Sequence, residues 1–402
     1  MRALYLAMTA VLGFGWGLII PAYLVYYVRG AGLGPLELVL VGTVTEATYF
    51  LFNIPTGAFA DSRGRRWAIT LGVAITGAGW LVAGLVPTVA FVLLGAAVSG
   101  IGEAFVNGAT DAWIADEVGD AALPELFSRA SQLRRFAYLA GLGGSVALAG
   151  ISYAAPIIGG AAVYGAVAIG LALFLREPAF RRPAERASWH ALGATARESA
   201  VLVRRSPFLL TLFATSALVG AASEGYDRLW GAHFLTLVPV ALAPVTAFAL
   251  IDVAKTIIGI GMGEVARRGA RVAIPVLGPL LAIAEGIHVV TILMFALATG
   301  LPIAVAILLA QSALGSVAQP LYHAWLTMNI EPRVRATVLS MHSLCNAGGQ
   351  IAGGPVIGAI GSLSSIRAAL VASSVFLLPN MLLYLRAGGH ARAAAAAAEA
   401  IP

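Results

Sequence analysis

Glu103, Asn107 and Asp111 recur at i, i+4 and i+8 within an otherwise apolar stretch, and Glu46, Tyr49, Phe50 and Asn53 repeat that kind of spacing earlier in the chain. On a helix each set falls on one face. Carboxyl groups on an apolar face suit proton chemistry. Removal from water penalises the charged form, so such a group gains or loses a proton as its surroundings alternate between dry and wet. Permanent pairing or hydrogen bonding within the packing is the plainer alternative for all of these acids.

Further clusters have the same character. Glu224 and Arg228 stand at i, i+4 in the order that favours an ion pair, beside Gly220 and Gly225. Asp252 lies one turn before Lys255, the chain's only lysine, and Glu285 and His288 are spaced alike. The last two are assigned to packing. Gln311, Gly315 and Gln319 share a face, followed by Tyr322 and His323. With Trp16, Tyr23, Tyr26, Trp113 and Trp230 they offer aromatic faces for a bulky apolar or cationic compound. Tyr26, Tyr27 and Trp67 suit the membrane interface better.

The elements that carry these residues are set by composition. The 402 residues are 59% hydrophobic and 11% charged, with mean hydropathy +0.89, beyond the range of an ordinary soluble domain. Apolar stretches long enough to cross roughly 30 Å of hydrocarbon recur throughout. They fall near 4–28, 36–59, 67–86, 88–114, 130–151, 154–175, 207–236, 242–265, 272–298, 301–326, 336–360 and 365–386. Continuous apolar runs predict helices, since barrel strands alternate polar and apolar residues. The 46 glycines fit close helix packing in lipid. The N-terminal run continues to Tyr26 and Tyr27 without a convincing cleavage site and is taken as the first span.

With the N-terminus in the cytoplasm, 21 of the 25 basic residues fall on the inner side, which orients both termini inwards. Spread over inner segments, the net charge of +6 and pI near 9.7 mark topology and attraction to lipid headgroups rather than a nucleic-acid surface. The single Cys345 excludes an internal disulfide, and no Cys/His spacing suits a metal. A phosphate-binding GxxxxGK[ST] loop is ruled out, because Lys255 lacks the preceding glycines.

The organisation is an all-α polytopic membrane protein with twelve spans in two six-helix halves: residues 1–175, a linker 176–206, residues 207–386 and a tail 387–402. In the linker, Trp189, Leu192, Ala196, Ala200 and Val203 share a helical face, as in a helix lying on the inner leaflet. A shift of 204 residues carries Arg63 onto Arg267 and Arg129 onto Arg333. Two halves in the same orientation suit a carrier that rocks about a site between them.

The stretch "GAFADSRGRR" (57–66) places Gly57, Asp61, Gly64, Arg65 and Arg66 at the spacing G-x-x-x-D-x-x-G-R-R, and is read as a loop after the second span. It resembles the signature loop of the major facilitator superfamily. "ADEV" ending the fourth span with Asp116, "EPRVRATVLS" (331–340) and "GGQIAGGP" (348–355) resemble the same superfamily, so the likeness covers essentially the whole chain. It implies that fold, and a conformational latch in which Asp61 meets the start of the eleventh helix while Arg65 pairs with Asp116.

"NGATDAWIADEV" (107–118) and "SEGYDRLWGAHFL" (223–235) look like a bacterial branch of drug:proton antiporters that includes tetracycline- and macrolide-exporter relatives. Ser62 stands where the motif usually has arginine, "GEVARRGAR" (263–271) matches loosely, Ala96 replaces a basic residue, and "AGLGGSVALAG" lacks the antiporter Gly-Pro. The expectation is a non-enzymatic secondary transporter of the bacterial inner membrane. It would be a monomer without cofactor, exporting hydrophobic compounds by exchange with protons. Uptake of a small metabolite by symport or uniport is the alternative, and a non-transporting membrane sensor is another.

Overall fold

In lipid a chain must satisfy its backbone polar groups internally, and helices do so within one segment. The computed structural model describes residues 1–178, 197, 201, 203–269, 274–330 and 335–399. Its helices are α1 (Arg2–Val25), α2 (Pro35–Arg63), α3 (Arg65–Leu85), α4 (Val89–Val106), α5 (Ala109–Val118), α6 (Leu123–Ala149) and α7 (Ala155–Phe174). They continue as α8 (Pro207–Leu237), α9 (Pro244–Gly269), α10 (Ile274–Leu297), α11 (Leu301–Met328), α12 (Arg335–Leu363) and α13 (Ile366–Glu399). With α4 and α5 forming one interrupted span, these make the twelve-span, all-α fold. Ten spans meet both length and hydropathy requirements among the described residues. The other two, α6 and α12, are diluted by charged residues such as Glu125, Arg129 and Arg134, and by polar ones such as His342, Asn346 and Gln350.

The chain divides into two compact units, one of residues 1–186 with 238–253, the other of 187–237 with 254–402. In the first, α1 packs on α6 and α7, and α3 on α4 and α7. A buried cluster around Ile69, Trp113, Ile114 and Leu171 holds one end together. In the second, α8 packs on α12 and α13, and α10 on α13. Its buried cluster centres on Leu212, Trp325 and Leu326, with the Phe208 ring edge-on to Trp325 at 5.2 Å. Small residues permit these approaches: a Cβ on Gly141 of α6 would meet the Phe14 carbonyl of α1, and one on Gly349 of α12 the Ala217 carbonyl of α8. Large apolar side chains such as Leu51, Ile283, Val290 and Leu293 are left exposed, as lipid-facing positions require.

Two expectations are corrected. The stretch 57–66 is not a loop after the second span: α2 runs through Arg63, and the turn into α3 is confined to Gly64, with φ at 100°. The backbone hydrogen bond from Gly64 to Ala60 continues the helical pattern to that point. The fourth span is also not one continuous helix. Asn107 turns extended and Gly108 takes φ 71°, so Glu103, Asn107 and Asp111 do not stand on one uninterrupted helical stripe. The linker helix through Trp189, Leu192, Ala196 and Ala200 falls outside the described residues. Val203 is buried against α8 and α11 residues.

Candidate functional site

In the first unit, the turn at Gly64 places the N-terminus of α3 against two acids. Arg65 ion-pairs with Asp116 of α5, and its Nη1 also donates to the Ala112 carbonyl at 2.8 Å. The backbone N–H groups of Arg65 and Arg66 donate to the two carboxylate oxygens of Glu177, each at 3.1 Å. Arg66 Nη2 donates to the Ala172 carbonyl at 2.6 Å. A carboxylate at a helix N-terminus meets unsatisfied N–H groups and the positive end of the dipole. Asp61 and Gly57 are exposed in the last turns of α2.

Trp113, taken from the sequence as a cavity aromatic, is instead fully buried beneath this turn and donates from Nε1 to the Arg176 carbonyl at 3.3 Å. Packing claims it because α5 turns it towards the α1 and α6 side, where Tyr5 and Phe127 lie. Tyr26 and Tyr27 are likewise neither cavity walls nor interface anchors: both are 3% exposed, and Tyr26 donates to the Gly84 carbonyl. Trp16 and Tyr23 sit edge-on to Trp80, with centroids 5.9 and 6.3 Å away.

The acids of α2 and α4 share one neighbour. Tyr49 is half-buried beside Asn53 and within electrostatic reach of both Glu46 and Glu103. Tyr164 of α7 lies within electrostatic reach of Glu103 and Arg134. Glu103, Asn107 and Asp111 are all exposed, each at or beside the break in the span, and Thr56 donates to the Ala104 carbonyl across α2 and α4 at 2.8 Å. Exposed carboxylates amid apolar helices face water rather than lipid, since lipid exposure of a charge costs several kcal/mol. Asp252 accepts from the Tyr138 hydroxyl at 3.3 Å.

In the second unit, Glu224 is 2% exposed and paired with Arg228 at 3.0 Å. The Lys255 ammonium lies over the Trp230 ring, 4.1 Å from its centroid, so this aromatic face already holds a cation. Tyr226 donates to Gln311 at 2.5 Å, Tyr322 is bonded to His342, and Gln319 is exposed.

Three polar residues escaped the sequence reading. Asp227 is accessible and lies near Glu224, Arg228 and Lys255; in the sequence it falls between the i, i+4 pair Glu224 and Arg228, with no patterned partner of its own. Arg134 stands well inside α6, with its side chain against Gly13 of α1. Glu177 was visible only as an acid just beyond the sixth span. Its signal was the run of arginine-rich motif residues that lacked a second acidic partner.

A family model described as the Major Facilitator Superfamily matches residues 5–288. No curated protein matches the sequence. Among solved structures, the nucleoside transporter NupG is similar over 96% of this chain and 98% of its own, at TM-score 0.77 and 13% identity. A bacterial homolog of the human lysosomal transporter Spinster, inward-facing and unoccupied, matches over 97% and 96% at TM-score 0.71 and 18% identity. A POT family transporter in complex with 5-aminolevulinic acid matches over 96% and 95% at TM-score 0.74 and 12% identity. These identities establish likeness of fold.

Proposed function

The chain belongs to the Major Facilitator Superfamily, and from that premise we propose that it is a secondary transporter working by alternating access, exporting hydrophobic compounds in exchange for protons. The observation that carries the reading is that Glu46 of α2 and Glu103 of α4, helices packed on one another, both lie within electrostatic reach of Tyr49. Acids able to meet water inside apolar spans are what proton coupling requires. A bacterial inner membrane, inward termini, action as a monomer and use of the proton gradient without a cofactor belong to the same proposal.

Uptake of a small metabolite is the second reading. It is favoured by the likeness of fold to the nucleoside transporter NupG and to the POT family transporter crystallised with 5-aminolevulinic acid. Everted membrane vesicles decide between them when loaded with a panel of lipophilic dyes, nucleosides and small peptides. Dye accumulation driven by an imposed proton gradient, abolished in Glu103→Gln or Glu46→Gln, supports export. Nucleoside or peptide movement without dye movement overturns it.

A further inference from the structure

Within the second unit, α8 and α12 lie close enough for their backbones to touch. A Cβ on Gly220 of α8 would meet the Asn346 carbonyl, and one on Gly353 of α12 would meet Ala221. Side chains cross-link the two helices in both directions. Ser216, 3% exposed, donates from Oγ to the His342 carbonyl at 3.1 Å, and its own carbonyl accepts Asn346 Nδ2 at 3.0 Å. Asn346 Oδ1 in turn accepts Gln350 Nε2 at 2.7 Å.

Chemistry fixes the direction of this chain of amides. A backbone carbonyl can only accept, so Asn346 must turn its nitrogen to Ser216 and its oxygen to Gln350. That oxygen also can only accept, so Gln350 must present its nitrogen. This leaves Gln350 Oε1, to which no described residue donates, on a side chain that is partly exposed. Hydrogen bonds in line polarise one another, which makes the last oxygen a stronger acceptor than that of an isolated amide. An acceptor without a partner amid apolar helices is costly, and here two hydrogen bonds and a tight helix contact hold it in place.

We propose that Gln350 Oε1 is a specificity-determining acceptor, which selects transported compounds carrying an N–H or O–H group over analogues alkylated at that position. Asn346 is the positioning residue that aims it. A site built to accept from a ligand donor rejects the analogue that lacks one, because its own acceptor then goes unpaired. The inference rests on the reading of this chain as a transporter and narrows its substrates; it depends neither on the direction of transport nor on proton coupling.

Equilibrium binding to the full-length protein in lipid nanodiscs reads this selection without a gradient. Two matched pairs serve as probes: rhodamine 6G, which carries secondary amines, against rhodamine B ethyl ester, whose nitrogens are fully alkylated, and uridine against 3-methyluridine. In at least one pair the wild type is expected to bind the donor-bearing member about five- to tenfold more tightly, the effect of one hydrogen bond. Gln350→Met, which keeps the length of the side chain, brings that member to the level of its alkylated partner and leaves the partner's affinity alone. Gln350→Leu repeats the deletion if the methionine variant fails to fold. Asn346→Leu, which frees the Gln350 amide to turn, weakens the preference in the same selective way. A wild type without preference in either pair, a preference that survives loss of the Gln350 amide, or equal weakening of both members overturns the proposal. Dye export in vesicles is measured separately. Export with a preference indifferent to Gln350 sinks this inference alone, whereas a Gln350-dependent uridine preference without dye movement sinks only the export reading.

Discussion

Glu177 accepts the backbone N–H of Arg65 at 3.1 Å, and with its other oxygen that of Arg66, so the residues that open the linker also cap the helix that follows the arginine motif. Loss of a capping side chain costs about 0.5–2 kcal/mol, and the partial exposure of Glu177 puts this case in the lower half. Glu177→Ala is expected to lower the thermal midpoint in detergent by a few degrees. Glu177→Gln, which keeps one acceptor oxygen, should fall between that variant and wild type. Equal midpoints for all three would mean that the cap adds nothing.

The Arg65–Asp116 pair is open to solvent, with side chains 23% and 52% exposed. Screened pairs of this kind contribute about 0.2–1 kcal/mol to stability. As the latch that the sequence resemblance implies, it would act through populations: an interaction made in one conformation and broken in the other shifts their balance by its full strength. Asp116→Asn is therefore expected to insert and unfold nearly as wild type while transporting several-fold more slowly. Transport rates scaled to the amount of protein in the membrane check this. The swapped double variant Arg65→Asp with Asp116→Arg should recover part of the loss.

Two glycines of α6 separate packing from propensity. A Cβ on Gly141 meets the backbone of Phe14 and Gly17, whereas one on Gly143 meets nothing within 4 Å. Overpacking a tight contact costs about 1–3 kcal/mol, while replacing an unhindered helical glycine by alanine gains about 0.5–1 kcal/mol. Gly141→Ala should lower the thermal midpoint and Gly143→Ala hold or raise it. Shifts of the same sign would refute the close approach of α1 and α6.

At Gly108 the backbone alone sets the cost. A Cβ there finds open space, but φ is 71°, a conformation that side chains other than glycine's rarely adopt. Gly108→Ala is expected to destabilise by about 1–2 kcal/mol through strain, or to straighten the fourth span. Spin labels placed in α4 and α5 distinguish the two outcomes, since a straightened span would change the separation between them.

The spans were legible because burial in lipid writes itself as long apolar runs, and Glu46 and Glu103 stood out for the converse reason. What sequence spacing missed were local backbone departures and contacts between distant segments. The "GAFADSRGRR" stretch carries enough charge to look like a solvated loop, yet nothing in it breaks a helix before Gly64. Asn107–Gly108 sits inside a run whose polar residues Glu103, Asn107 and Asp111 keep helical spacing, so periodicity extended the helix through it. Trp113 shows the limit of composition: an indole suits a cavity wall and a core equally, and only the direction that α5 takes after the break decides for the core.

Lys255 offers a test of how the second unit treats cations. Its ammonium covers the Trp230 face at 4.1 Å, an interaction worth about 0.5–2 kcal/mol according to its exposure. A lipophilic cation that uses the same face must displace it. Lys255→Met removes the internal competitor together with its repulsion, so the apparent affinity for a cationic dye should rise several-fold, while that for a neutral compound of similar size changes little. Lys255→Arg restores a stacked cation and should return the affinity towards wild type. Dye-binding titrations by fluorescence measure all three, and an affinity for the cation that falls in Lys255→Met would remove Trp230 from the surfaces that bind it.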